Sequence, residues 1–293
     1  MSKLKGRKPA DVQPGKIKMM TFGKSGVGKT WLSMDFPAPY YIDCEGGARL
    51  GHYQKKLADV GGGYFGVEDG ALDFSAVIEQ IEALATEKHE YRTLAIGSIT
   101  KLYQTAISVE QARLGEKDAF GASKKPAVAW MRRLVTWIQR LDMNVLFEAH
   151  EAVEWGIDPK TGQRTEIGQI PDAWDKLIYE LDLALRIEKR GPARVCVVRK
   201  SRLTGFPEGE SFPCQYTEFG QRYGKDFLEA SPQLIVLATP EQIAEITRLL
   251  AVVNIDPKEI EKMLARAKAD SVSELPKDHA TAMVEWLKKK VEL

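Results

Sequence analysis

The sequence has few cysteines and few histidines. Its 293 residues include three cysteines (Cys44, Cys196 and Cys214) and four histidines, and none of them shows the C-x-x-C or mixed Cys/His spacing of a zinc site. This scarcity argues against bound zinc. Scattered, unpaired cysteines are typical of a reducing compartment, so we expect the protein to lie in the cytoplasm.

The sequence also lacks an excess of charge and any long apolar run. Lys and Arg number 42 and Asp and Glu 41, which leaves a net charge of +1. A balanced chain has no overall field directed at nucleic acid or membrane, so such contacts must come from local clusters. No apolar stretch approaches the roughly 20 residues of a membrane span, and no signal-peptide core follows the basic start. We therefore expect a soluble protein without a membrane partner, which stays where it is made.

One local cluster of charge lies at the N-terminus. In the first eighteen residues a single acidic residue, Asp11, stands against the basic residues Lys3, Lys5, Arg7, Lys8, Lys16 and Lys18. We treat 1–16 as a basic arm. It is either a contact for nucleic acid or a solvated, disordered tail.

A complete phosphate-binding motif, G-x-x-x-x-G-K-T, stands between a strand-like run at 16–22 and a helix-like run at 31–36. Its residues are Gly23, Lys24, Ser25, Gly26, Val27, Gly28, Lys29 and Thr30. Glycines let consecutive backbone N–H groups turn toward phosphates, Lys29 adds a mobile positive charge, and the Thr30 hydroxyl is a ligand for Mg²⁺. The motif predicts binding of ATP or GTP with Mg²⁺. The alternative is a glycine-rich turn without a ligand.

Strand-like and helix-like segments alternate after this motif. The predicted strands are 39–45, 93–99, 144–150, 181–188 and 194–199, and the predicted helices are 73–87, 100–114 and 127–141. This order predicts a mostly parallel sheet with helices on both faces, and the last two strands form an antiparallel hairpin at one edge. The segment 151–172 is predicted to be a long polar loop.

The last part of the chain has a different pattern. Thr239-Pro240-Glu241-Gln242 is a capping box with proline at the first helical position, and Asp256-Pro257 repeats this start signal. A third helix carries Met283, Trp286 and Leu287. We expect an α/β core over 17–235 and a small helical domain over 236–293. That domain either binds a partner or serves packing alone.

Four further segments follow the phosphate motif in a recognisable order. They are 42–45 (Ile-Asp-Cys-Glu), 96–100 (Ile-Gly-Ser-Ile-Thr), 147–151 (Phe-Glu-Ala-His-Glu) and 198–202 (Val-Arg-Lys-Ser-Arg). Together they resemble the phage-encoded RecA-like ATPases related to single-strand annealing proteins, the fourth Sak superfamily, over roughly residues 17 to 235. The resemblance implies a RecA-type P-loop NTPase core, ATP and Mg²⁺ as cofactors, and the cytoplasm of a bacterial host.

The resemblance also implies catalytic roles for Lys29 and four other residues. Glu45 lies where RecA-like ATPases carry the carboxylate that activates the attacking water, and His150 lies where the γ-phosphate is sensed. Lys200 and Arg202 resemble the paired cations that enter the site of a neighbouring subunit, which would require a filament or ring. The alternatives are a solvated carboxylate, a core histidine and an ordinary basic strand end.

Position 97 departs from this family. The family has an aspartate there, next to Mg²⁺, whereas Gly97 has no side-chain oxygen. Mg²⁺ keeps several waters, so Thr30 and the phosphates suffice, or Asp43 or Glu148 contributes through water. We expect an ATPase that depends on DNA and turns over slowly or not at all. Restoring aspartate at 97 is expected to raise ATP hydrolysis.

In the RecA fold, loops after the third and fourth strands hold single-stranded DNA. The matching segments mix cations with an aromatic ring, as sequence-tolerant binding of a single strand requires, although basic loops are also common on surfaces. The candidate residues are Lys117, Phe120, Lys124, Lys125, Trp155, Lys160 and Arg164.

Three functions are compatible with these features. The first is an ATP-binding, RecA-like protein that assembles on single-stranded DNA and promotes annealing or strand exchange in phage recombination, with a single-strand binding protein as a partner of the C-terminal domain. The second is a nucleotide-gated loader or adaptor with little ATP turnover, which Gly97 favours. The third is a small-molecule kinase, which the absence of an arginine-rich lid disfavours.

Overall fold

The computed structural model describes residues 6, 8, 15–118, 121–253 and 255–291. Phe120 and most of the basic arm therefore lie outside the described residues. The chain divides into two units. The first comprises Met1–Val77, Glu90–Met131 and Asp142–Pro232, and the second comprises Ile78–His89, Arg132–Leu141 and Gln233–Leu293.

The first unit is built on a sheet of nine strands within the described residues, in the order β3-β2-β4-β5-β1-β7-β8-β9, with β6 paired to β5. The strands are β1 (Lys18–Phe22), β2 (Pro39–Asp43), β3 (Gly63–Phe65), β4 (Thr93–Gly97), β5 (Asn144–Ile157), β6 (Arg164–Asp172), β7 (Leu183–Arg190), β8 (Ala193–Ser201) and β9 (Ser211–Pro213). The pairs between β3 and β7 along this order are parallel, and β8, β9 and β6 are antiparallel to their neighbours.

The central strands are apolar along nearly their whole length because both faces of the sheet are covered. Every residue of β4 is buried, and Met19, Met20 and Phe22 of β1 are at most 1% exposed. Continuous apolar runs of this kind are typical of parallel strands. In chain order, the helices before residue 233 are α1 (Lys29–Ser33), α2 (Gly51–Asp59), α3 (Phe74–Thr86), α4 (Ile99–Leu114), α5 (Lys124–Arg140), α6 (Leu177–Glu180), α7 (Tyr216–Phe219) and α8 (Lys225–Glu229), and parts of α3 and α5 belong to the second unit. The predicted fold class is confirmed: a P-loop NTPase-like α/β fold with an antiparallel edge and C-terminal helices.

The segment predicted to be a polar loop is instead a pair of antiparallel strands. β5 continues seven residues past His150 to Ile157, and β6 pairs with it from Arg164 to Asp172. We call His150–Asp172 the β5–β6 ribbon. Its polar composition suggested a loop, but Val153, Trp155 and Ile157 alternate with other residues at the strand period of two, and ladder pairing satisfies the backbone of this exposed segment.

The second unit is helical in its C-terminal part, with α9 (Pro240–Val252), α10 (Pro257–Arg266) and α11 (Lys277–Val291). The Thr239 capping box is present: the Gln242 N–H donates to the Thr239 hydroxyl at 3.3 Å, and the Thr239 N–H donates to Gln242 Oε1 at 3.0 Å. The Lys258 N–H donates to Asp256 Oδ1 at 3.0 Å and so caps α10. No helix within the described residues is long and apolar enough to cross a membrane.

Candidate active site

The phosphate loop joins β1 to α1 at the end of the sheet where the parallel strands finish. Gly23, Gly26 and Gly28 have φ angles of 150°, 73° and 106°, which side-chain-bearing residues rarely adopt, so the loop requires glycine there. The ammonium of Lys29 folds over the loop and donates to the carbonyls of Gly23 at 2.9 Å and Lys24 at 3.1 Å. Burial lowers the pKa of Lys29, although the nearby carboxylates of the site oppose this shift.

A cleft of about 810 Å³ opens over this loop, which is within the size range of small-molecule sites. It is lined by all the predicted loop residues except Val27, whose side chain packs in the hydrophobic core. The other predicted site residues on the cleft wall are Glu45 and His150. The folded chain thus brings together residues more than 120 positions apart in sequence.

Glu45 and His150 are in direct contact in this cleft. Glu45 follows β2, and its Oε1 atom lies 2.6 Å from His150 Nε2 on β5 and accepts a hydrogen bond of 2.5 Å from the Ser98 hydroxyl after β4. Burial acts to raise the pKa of Glu45, but the hydrogen bonds from Ser98 and His150 hold the pKa below its ordinary value. Glu45 is therefore an ionised carboxylate at neutral pH, as a group that accepts a proton from water has to be.

A second carboxylate, Glu148, lies deeper in the same cleft. The Thr30 hydroxyl donates to Glu148 Oε2 at 2.9 Å, and the Tyr41 hydroxyl donates to Thr30 Oγ1 at 3.3 Å. Glu148 is 2% exposed, and this burial raises its pKa, against the influence of the neighbouring hydroxyls and of Lys29. Its second oxygen, Oε1, is buried and makes no hydrogen bond of ordinary geometry with any described residue, although the Ser33 hydroxyl is close enough to Glu148 to help lower its pKa.

Asp43 does not offer a comparable free carboxylate. Its Oδ1 accepts the N–H groups of Glu45 at 3.1 Å and Gly46 at 2.9 Å, while Oδ2 accepts the Ala48 N–H at 2.8 Å and the Tyr64 hydroxyl at 3.1 Å. These bonds hold the turn after β2 that presents Glu45. Asp43 therefore stabilises the turn after β2. Glu148 is the buried carboxylate that lies beside Thr30 and has an oxygen without a hydrogen bond of ordinary geometry.

The tight packing around Gly97 disfavours the gain in hydrolysis expected from an aspartate at this position. A Cβ atom built on Gly97 would overlap the Tyr41 hydroxyl and lie 3.1 Å from Cδ of Glu148. Gly97 and Glu148 are also direct partners in the β4–β5 register. The space for a side chain at 97 is thus filled by two groups that already contact Thr30.

Lys200 and Arg202 lie away from this cleft. Lys200 pairs with Ala184 near the start of β7, whereas the phosphate loop follows Phe22, which pairs with Arg186 further along β7. Neither cation lines the cleft of its own chain. Their side chains donate to the backbone carbonyls of Leu181 and Tyr179, respectively.

Sequence reasoning missed a different cation that lies at the phosphate loop. A Cβ at Gly28 would come within 2.8 Å of Cδ of Arg194, so this side chain packs directly on the loop. Arg194 is reached because the hairpin turns between Arg190 and Ala193, which returns β8 to the same end of the sheet. The predicted hairpin was the feature of the sequence that could have indicated this position of Arg194. No local pattern could have indicated the contacts of Ser98 and Tyr41, because these contacts depend on the register of the strands.

The predicted DNA-binding residues fall into two groups. Lys117, Lys124 and Lys125 are exposed around the connection between α4 and α5. Trp155, Lys160 and Arg164 lie together on the β5–β6 ribbon, where Trp155 is 51% exposed and the Arg164 guanidinium stands 4.7 Å from the centre of its ring.

Residues 15–207 match the family model described as an AAA domain. The chain belongs to the AAA domain family. An AAA domain is a P-loop NTPase, which assigns nucleotide binding and, in general terms, ATPase activity to the cleft described above. Such domains ordinarily bind nucleotide with Mg²⁺. Within the described residues, no group of three or more His, Cys, Asp or Glu side chains forms a metal site by itself.

A similar solved structure was described as a prototypical ATPase from the type III secretion system of pathogenic bacteria. It is 16% identical to this chain, and the match covers 94% of this chain and 81% of that chain at a TM-score of 0.39. No match was found among curated proteins.

Proposed function

We propose that the protein is a RecA-like ATPase of the phage single-strand annealing type, which binds single-stranded DNA in its ATP-bound state and assembles on it to promote annealing or strand exchange. The observation that carries this proposal is the contact of 2.6 Å between Glu45 and His150. It joins the nucleotide cleft to the strand that continues into the β5–β6 ribbon.

The cleft suits ATP with Mg²⁺. Glycine backbone and Lys29 would hold the phosphates, and the Thr30 hydroxyl, with Glu148 behind it, is a hard-oxygen environment of the kind that Mg²⁺ prefers. Bound Mg²⁺ would neutralise phosphate charge during transfer. Glu45 would orient and deprotonate the attacking water.

In this proposal, His150 would transmit the nucleotide state. Its side chain contacts Glu45 in the cleft, while its backbone N–H donates to the Thr100 hydroxyl at 2.9 Å, and that hydroxyl donates to the Asp172 carbonyl at the other end of the ribbon. A γ-phosphate adds negative charge beside Glu45 and His150, so it would alter their contact. The ribbon would respond because both of its ends meet at this point.

The ribbon presents suitable groups for a single strand. Trp155 offers an exposed ring for base stacking, and Lys160 and Arg164 offer positive charge for phosphates. Such stacking contributes about 1–3 kcal/mol per base, which is about fivefold or more in Kd. Lys117, Lys124 and Lys125 would add phosphate contacts that lower affinity as salt increases.

The test measures the affinity for fluorescent oligo-dT by anisotropy in the presence of no nucleotide, ADP, or a nonhydrolysable ATP analogue with Mg²⁺. We expect the tightest binding with the analogue, and Trp155→Ala should weaken it at least about fivefold. Tyr179→Ala is the matched control, since Tyr179 is 68% exposed and lies outside the ribbon. Equal affinity in all three states would overturn the coupling, and an absence of DNA binding would overturn the function.

A second candidate function is a nucleotide-gated loader or adaptor with little turnover. The exposed apolar side chains of the same ribbon favour it, because surfaces of this kind often contact proteins: Val153 is 40% exposed, Ile157 74%, Ile167 59% and Ile170 41%. In the first function the protein acts as a homo-oligomer, with Lys200 and Arg202 completing a neighbour's site and the C-terminal helices contacting a single-strand binding protein. Electron microscopy with ATP, Mg²⁺ and an oligonucleotide separates them: filaments or rings support the first, and dispersed monomers support the second.

A further inference from the structure

Gly97 and Glu148 lie on the side of the cleft where Thr30 would bind Mg²⁺. β4 ends without a carboxylate at position 97, yet a buried glutamate lies directly opposite it on β5. A buried carboxylate is costly unless its oxygens are paired. Glu148 keeps one oxygen, Oε1, without a hydrogen bond of ordinary geometry among the described residues, although the residue lines the cleft.

The hydrogen bonds of Thr30 indicate what this carboxylate does. The Thr30 hydroxyl has one hydrogen and two lone pairs. The hydrogen is donated to Glu148 at 2.9 Å, and one lone pair accepts the Tyr41 hydroxyl at 3.3 Å. These two bonds fix the rotation of the hydroxyl and leave its second lone pair free to bind a cation.

The same geometry explains why the residue at position 97 is a glycine. With any side chain at 97, the first atom would overlap the Tyr41 hydroxyl and press on the Glu148 carboxyl. Gly97, Tyr41 and Glu148 are therefore mutually dependent: the missing side chain makes room for the two groups that orient Thr30. Asp43 does not compete for this role, because backbone N–H groups and Tyr64 occupy both of its oxygens.

We propose that Glu148 supplies, from β5, the carboxylate that orients Thr30 and balances the charge of nucleotide-bound Mg²⁺, in place of the acidic residue absent at position 97. Glu148 is thus a positioning residue for the metal. This inference rests on the proposed use of ATP with Mg²⁺, and it is independent of DNA binding. It also implies that Gly97 does not mark a defective site.

The experiment measures the Kd of a fluorescent ATP analogue with Mg²⁺ and with EDTA, for the full chain and for Glu148→Gln. We expect Mg²⁺ to tighten binding by the wild type, and Glu148→Gln to lose at least tenfold of this gain while its affinity in EDTA is unchanged or higher. Binding of Mn²⁺, followed by electron paramagnetic resonance with a nonhydrolysable ATP analogue, should weaken in parallel. The affinity in EDTA shows that the variant is folded.

Glu151→Gln is the matched control, because Glu151 lines the same cleft but pairs with Arg186 at 3.0 Å and does not contact Thr30. It should keep the Mg²⁺-dependent gain. The proposal is overturned if Glu148→Gln retains the full gain, or if Glu151→Gln loses it equally. Oligo-dT binding is measured separately with the same preparations. A loss of DNA binding would therefore contradict the proposed function without being mistaken for a loss of the Mg²⁺-dependent gain.

Discussion

Glu45 and His150, 105 residues apart in sequence, meet with 2.6 Å between Oε1 and Nε2 at the mouth of the nucleotide cleft. Glu45 follows β2 and His150 belongs to β5. The hydroxyl of Ser98, which follows β4, also donates to Glu45. The contact gives one carboxylate two tasks. It would activate water for hydrolysis, and it would report the presence of the γ-phosphate to the β5–β6 ribbon.

The first task predicts a selective loss in Glu45→Gln. Removal of a general base ordinarily costs about 10²–10⁴ in rate. We expect the steady-state rate of ATP hydrolysis to fall by about that factor, while the Kd for nucleotide changes little because the phosphate loop is intact. Hydrolysis that persists at the wild-type rate would show that another group activates the water.

The second task predicts a different defect in His150→Ala. The Thr30 and Glu148 contacts remain, so nucleotide should still bind with its dependence on Mg²⁺. The difference in oligo-dT affinity between the ADP state and the ATP-analogue state should shrink, because the ribbon loses its side-chain link to Glu45. A control is Arg164→Ala, which should weaken DNA binding in every state by a similar factor. A His150→Ala protein with unaltered state dependence would contradict the signalling role.

The packing around Gly97 predicts that substitutions there are harmful. Gly97→Ala places a methyl group onto the Tyr41 hydroxyl, and overpacking of this kind costs about 1–3 kcal/mol. Gly97→Asp should cost more, since it also brings a second carboxylate against Glu148. We expect a lower melting temperature and weaker Mg²⁺-dependent nucleotide binding in both, with the larger effect in Gly97→Asp.

A double variant separates steric from electrostatic effects at this position. Tyr41→Phe removes the atom nearest to the added Cβ, so Tyr41→Phe with Gly97→Ala should be less destabilised than the two single costs summed. The same change should rescue Gly97→Asp only in part. Faster ATP hydrolysis in Gly97→Asp than in the wild type would refute this account of the site.

Local patterns in the sequence were sufficient for part of this structure. The phosphate loop is a continuous motif, and the Thr239 capping box is a four-residue signal, so neither depends on distant residues. Alternating strands and helices also predicted the mostly parallel sheet and its antiparallel edge, although not β3, β6 and β9. These features have in common that their physical causes, such as backbone freedom and side-chain caps, act within one segment of the chain.

The contacts of Glu148 had no such local cause. They depend on the register that places Gly97 opposite Glu148 and brings Tyr41 from a further strand, and a shift of one residue would turn every side chain to the other face. The ribbon was missed for another reason. Val153, Trp155 and Ile157 show the period of a strand, but charged and polar residues between them suggested a loop.

The positions of Lys200 and Arg202 lead to a prediction about assembly. Both lie toward the start of β7, away from the cleft of their own chain, so they would act only in a neighbour's site. A Lys29→Ala chain lacks its own phosphate site but keeps both cations, whereas a Lys200→Ala, Arg202→Ala chain has the reverse defect. Each should hydrolyse ATP poorly alone, and a mixture should recover activity, because some interfaces then combine an intact phosphate loop with intact cations. A mixture no more active than its components, under conditions in which they co-assemble, would assign the two cations to the stability of their own chain through the carbonyls of Leu181 and Tyr179.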